Sequence, residues 1–108
     1  MAWRVENRGD RTLMLLSAWL PHGRFRAAER ALEPPPCLAP GESTQLAVVV
    51  AFDEAPGTVV ENAFVIMRVR WGDEPWRILV RLLITADASG APTNSIALIT
   101  KQPVGFAR

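Results

Sequence analysis

A single histidine, His22, and a single cysteine, Cys37, are the residues of this 108-residue chain best suited to nucleophilic chemistry. A nucleophile needs a base within hydrogen-bond reach, and imidazole is the usual base. His22 stands in Leu20-Pro21-His22-Gly23, which reads as a turn between strands, where a histidine is ordinarily solvated. Cys37, beside Leu38, reads as a small packing residue and not as a reactive thiol. One imidazole and one thiol fall short of the three or four ligands a transition metal requires. The acids Asp53, Glu54, Glu61, Asp73 and Glu74 lie in or beside turn signals and lack the spacing of a calcium loop, so they read as solvated turn acids. No glycine-rich loop precedes a helix to cradle a phosphate. The expectation is a non-enzymatic chain with no metal and no cofactor.

The stronger constellation is made of arginines. Residues Ala63 to Trp71 and Trp76 to Ala86 flank Gly72-Asp73-Glu74-Pro75 and read as a β-hairpin with a four-residue loop. With Trp71 opposite Trp76, the register pairs Val69 with Ile78, Met67 with Val80 and Val65 with Leu82 on one apolar face. The other face mixes Phe64, Ile66, Leu79 and Leu83 with Arg68, Arg70, Arg77 and Arg81. Guanidinium forks there can clamp a partner's phosphate or carboxylate, and Trp71 and Trp76 at the hairpin end can add an aromatic anchor. These six residues form the candidate interaction surface. The competing reading is structural: arginine stems cover apolar sheet surface while their heads stay wet, and the tryptophan pair caps the core.

The elements that must position this face are short apolar segments cut by Gly and Pro. Trp3 to Asn7 reads as a first strand, closed at Arg8-Gly9-Asp10 by a tight turn in which glycine tolerates positive φ. Thr12 to Leu20 has Leu13, Leu15 and Trp19 on one face and Met14, Leu16, Ala18 and Leu20 on the other, which suits a central strand. Phe25 to Glu33 reads as a strand turning irregular, and Pro34 to Pro36 as a segment crossing between sheets. Pro40-Gly41 predicts a type II turn, Thr44 to Phe52 alternates with a clean period of two, and Pro56-Gly57 marks another reversal. Asp87 to Thr93 is a polar turn, Ser95 to Thr100 a last strand, and Lys101 to Arg108 a tail without assigned structure. Seven such strands predict an all-β fold of two antiparallel sheets packed face to face, with a small barrel as the alternative. Residues 1–100 form one domain and 101–108 the tail.

Hydrophobic residues make up 49% of the chain, enough to fold, and a lone cysteine allows no internal disulfide, so the fold must stand on packing. Twelve basic against eleven acidic residues leave a formal charge of +1, which supplies no field for nucleic acid or acidic lipid. The apolar run Leu13 to Leu20 follows Glu6 and Asp10 and precedes no cleavage site, so it does not read as a signal peptide. No stretch approaches the ~20 apolar residues that span a bilayer, and a soluble cytoplasmic protein is the expectation.

Two strings carry a family resemblance: Val5-Glu6-Asn7-Arg8-Gly9-Asp10, followed by Leu13 to Leu16, and Leu38-Ala39-Pro40-Gly41-Glu42-Ser43 with Leu46. Over residues 3 to 86 the chain resembles bacterial immunoglobulin-like modules of the hydin-like and cell-adhesion-related kinds. In these a V-x-N-x-G turn closes the first strand and an L-x-P-G-E-S-x-x-L turn opens a middle one. The resemblance implies an immunoglobulin-like sandwich used for scaffolding or binding, with no catalytic residues to carry over. The functional expectation is a protein-interaction or assembly module whose partner is a protein, including a second copy through an edge strand or through Val104 and Phe106 of the tail. The alternative is a small-ligand or carbohydrate-binding sandwich that stacks its ligand on Trp19, Trp71 or Trp76.

Overall fold

The computed structural model describes residues 1–103, which contain eight strands and no helix. In chain order these are β1 (Ala2–Glu6), β2 (Leu13–His22), β3 (Phe25–Ala31), β4 (Cys37–Leu38), β5 (Ser43–Ala47), β6 (Val59–Trp71), β7 (Glu74–Ala86) and β8 (Pro92–Pro103). β1 and β5 pair as a two-stranded sheet; β3-β2-β6-β7-β8, with β4 also on β2, make a six-stranded one. Every pairing is antiparallel. Alternation decides which residues meet between the sheets: Ala63, Val65, Met67 and Val69 of β6 are buried, as are Val80, Leu82, Ile84 and Ala86 of β7, and Leu46 of β5 closes over them. The result is an all-β, sandwich-like fold of two antiparallel sheets, very unequal in width. No helix among the described residues is long and apolar enough to cross a membrane.

Two turns follow the local chemistry read from sequence. Gly41 has φ 88°, and the Glu42 N–H donates to the Ala39 carbonyl at 2.9 Å, as a type II turn at Pro40-Gly41 requires. Gly57 has φ 84°, and the Thr58 N–H donates to Ala55 O at 3.1 Å. The first turn has a different basis. Gly9 is not held at positive φ; a Cβ there would meet the Trp71 indole at 3.0 Å, so the residue is small because a ring lies on it. Asn7 organises the turn from the interior. Only 3% exposed, its amide donates to Arg11 O at 2.7 Å and Leu38 O at 2.9 Å, and its Oδ1 accepts the Gly9 N–H at 3.0 Å.

Cys37, expected to pack, is exposed, and four expectations about the strands also need correction. The hairpin turns on two residues, not four: Trp71 pairs with Glu74, and Gly72 at φ 60° supplies the first position of a type II′ turn. Trp76 therefore pairs with Val69, Ile78 with Met67 and Val80 with Val65. The register differs by two residues, so every side chain keeps its face. Second, the pairing of β2 with β6 shifts between Leu15 and Ser17. This bulge turns Ser17 and Trp19 outward while Leu13, Leu15, Ala18 and Leu20 stay buried, so Trp19 leaves the face it would share with Leu13.

Third, β5 ends at Ala47, five residues short of Phe52. Its ladder with β1 finishes at the Met1–Val48 hydrogen bonds, and beyond them only Ala51 bridges, to Arg26. Side-chain alternation outlasts the ladder, with Phe52 packing edge-on against Phe25 at 6.2 Å. Fourth, β8 runs from Pro92 to Pro103 and absorbs the start of the expected tail. Val104 and Phe106 lie outside the described residues.

Candidate functional site

The larger sheet has a second face, turned away from β1 and β5, and β6 and β7 place four arginines on it. Arg68 and Arg77 are direct cross-strand partners, Arg81 opposes Phe64, and Arg70 opposes Pro75 on β7 and Met14 on β2. Two like charges directly opposite one another are unfavourable in an antiparallel ladder, so something must offset this pair. Part of the offset comes from Trp19, which the β2 bulge swings onto this face. The Arg68 and Arg77 guanidinium carbons lie 5.7 and 5.9 Å from its ring centroid, within cation–π range.

The rest comes from one acid. Glu29 on β3 sits 3.1 Å from Arg68 Nε and accepts a 2.6 Å hydrogen bond from the Ser17 hydroxyl, which fixes the carboxylate beside that arginine. Arg70, Arg77 and Arg81 have no acidic partner among the described residues, and the Arg77 Nε is buried without a hydrogen-bond partner there. Several arginines elsewhere are paired: Arg4 and Arg8 share Glu6, Arg11 meets Glu74 at 2.7 Å, and Arg24 meets Glu54. The Arg24–Glu54 bond raises the guanidinium's pKa and lowers the carboxyl's. Three arginines without an acidic partner among the described residues are thus gathered on one sheet face, with donor forks that match a carboxylate or phosphate, while Arg26 and Arg30 of β3, which also lack one, lie apart from them.

Trp71 and Trp76 do not belong to this cluster. Both point to the inner side, Trp76 sharing the face of its partner Val69, and their rings meet edge-on with centroids 6.3 Å apart at 82°. Arg11 stacks over Trp71 at 4.6 Å. The two tryptophans line an open apolar cleft of about 710 Å³ between β1 and the inner side of β6, β7 and β8, together with Trp3, Ile78, Ile96 and Ile99. The cleft exists because a two-stranded sheet cannot roof six strands. The candidate surface read from sequence is therefore two sites on opposite faces. Trp19, Ser17 and Glu29 were missed as members of the arginine face; the one polar residue in the run Leu13 to Leu20, Ser17, is the signal that marks an outward position there.

The residues weighed for nucleophilic chemistry are far apart. Cys37 pairs with Met14 near the start of β2 and His22 closes its end, eight residues or roughly 26 Å away. His22 Nδ1 accepts the Arg24 N–H at 3.0 Å. Among the described residues no three His, Cys, Asp or Glu side chains converge. Comparison with family models, curated proteins and solved structures finds no match to the chain.

Proposed function

We propose that this chain is a non-enzymatic interaction module whose arginine face docks an acidic segment of a partner protein. The observation that carries the reading is the Arg68–Arg77 pair: two cations forced together over Trp19, with one acid, Glu29, beside Arg68 alone and a buried Arg77 Nε that has no partner among the described residues. A carboxylate from a partner would accept from Arg77, relieve the repulsion and leave Phe64, Ile66 and Leu79 to bury apolar side chains around it. The resemblance of its turn motifs to bacterial immunoglobulin-like binding modules supports the same reading. The test is a titration with hexaglutamate followed by the indole N–H resonances. Saturable shifts at Trp19 that disappear in Arg68→Gln/Arg77→Gln support it. Shifts spread over all four tryptophans, and unchanged in that variant, overturn it.

A second reading is favoured by the inner cleft, whose volume falls within the range of small-molecule pockets and whose Trp76 Nε1 is buried without a partner among the described residues. Edge-on tryptophans offer no coplanar platform for a sugar, so the ligand would be a compact apolar molecule with one hydrogen-bond acceptor. Titrating 1-anilinonaphthalene sulfonate and finding no saturable binding would remove it.

A further inference from the structure

We infer that the free edge of β8 pairs antiparallel with β8 of a second copy, joining two six-stranded sheets into one. Among the described residues β8 pairs only with β7, so a strand of twelve residues carries an unpaired row of backbone donors and acceptors. Its apolar side chains are exposed on both faces. Ile96 and Ile99 oppose Leu82 and Val80 on the inner side and are 55% and 56% exposed, whereas Leu98 opposes Arg81 on the outer side and is 48% exposed. A ligand or a helix laid on one face would cover only one of these groups. A neighbouring strand in the same sheet covers both, because its side chains flank them on either side.

The charge pattern selects a second copy. Lys101 is the single charged residue of β8. Antiparallel self-pairing centred on Leu98 sets the two copies of Lys101 six residues, or roughly 20 Å, apart along the ladder. That is well beyond the ~8 Å screening length at physiological salt. With no acid and no second lysine in the strand, nothing repels an identical edge, and antiparallel pairing of a strand with itself closes with two-fold symmetry. Of the usual protections of an edge, β8 carries Pro92 and Pro103 at its ends, the single Lys101 and one bulge at Ala97, which self-pairing centred on Leu98 accommodates by leaving Ala97 unpaired on both strands.

Sedimentation equilibrium of the full chain tests this. The apparent mass is expected to rise with concentration toward twice the 11.9 kDa of one chain. Leu98→Lys and Ile99→Lys should each hold it at the monomer mass, and Val49→Lys, at a position 87% exposed elsewhere, should not. Hydrogen exchange of the unsubstituted chain gives an independent reading: amides of residues 94–101 should gain protection as concentration rises. A monomer mass at the highest concentration, with exchange in β8 indifferent to concentration, overturns the pairing. So does a dimer that survives both lysine substitutions but is lost when residues 104–108 are removed, which would assign the contact to the tail.

Discussion

Arg68 and Arg77 face each other across the β6–β7 ladder with Trp19 beside both. Among the described residues the buried Arg77 Nε has no acceptor, which a pair that serves only stability does not explain. Replacing Arg77 by Met keeps the apolar stem, removes the repulsion and removes the orphaned donor. The expected outcome is a gain of about 0.5–1 kcal/mol in urea unfolding together with weaker binding of hexaglutamate. A loss of stability would assign Arg77 to packing alone.

Asn7 spends both faces of its amide inside the protein, donating to Arg11 O and Leu38 O and accepting from Gly9. Asn7→Ala leaves the Leu38 carbonyl buried without this donor and loosens the turn that seats Trp71. Chemical denaturation should show a loss of about 3 kcal/mol, among the largest for any polar substitution in the chain.

Glycines 9 and 23 provide a matched comparison, since neither has a left-handed φ. A methyl group at Gly9 meets the Trp71 indole at 3.0 Å, whereas one at Gly23 meets nothing within 4 Å. Gly9→Ala should cost about 1–3 kcal/mol by forcing the ring aside. Gly23→Ala should change stability by no more than about 0.5 kcal/mol. Equal effects in thermal unfolding would show that the ring contact does not set the residue at position 9.

The turn between β7 and β8 carries a pH-dependent element. Asp87 accepts from the Ser89 hydroxyl at 2.6 Å and from the Ser89 and Ala91 N–H groups at 2.8 and 3.0 Å, and these bonds hold its carboxyl below its ordinary pKa. A carboxyl with a depressed folded-state pKa stabilises fully above its unfolded value near 4 and loses that contribution as pH falls through the folded value. Asp87→Ala should therefore lower the urea midpoint at pH 7, and the gap from the parent should close below about pH 4. A gap that persists at pH 2 would point to a role for Asp87 other than its charge.

Much of this protein is local. Alternation of Val65, Met67 and Val69 with Ile66, Arg68 and Arg70 puts the arginines on one face whatever strand lies alongside, because successive side chains of extended backbone point to opposite sides. That is why a register wrong by two residues still assigns every face of the hairpin correctly. The turns at Pro40-Gly41 and Pro56-Gly57 are equally legible, since ring-fixed φ followed by glycine needs no distant contact. The two-residue hairpin turn was less so: Gly72-Asp73 competes with the longer loop through Pro75, and only the pairing of two thirteen-residue strands chooses between them.

What the tertiary structure alone decided is where neighbours begin and end. The bulge after Leu15 reverses the facing of Trp19; within β2 only the polar Ser17 marks it, and the fit of β2 to β6 decides it. Glu29 finds Arg68 from a different strand, and Trp71 and Trp76 acquire a cleft only because the opposite sheet stops at two strands. Periodicity sets the side of the sheet on which a residue points, because that is a property of its own backbone. Register, bulges and edges are properties of pairs of strands distant in sequence, and their free energy appears only once those strands meet.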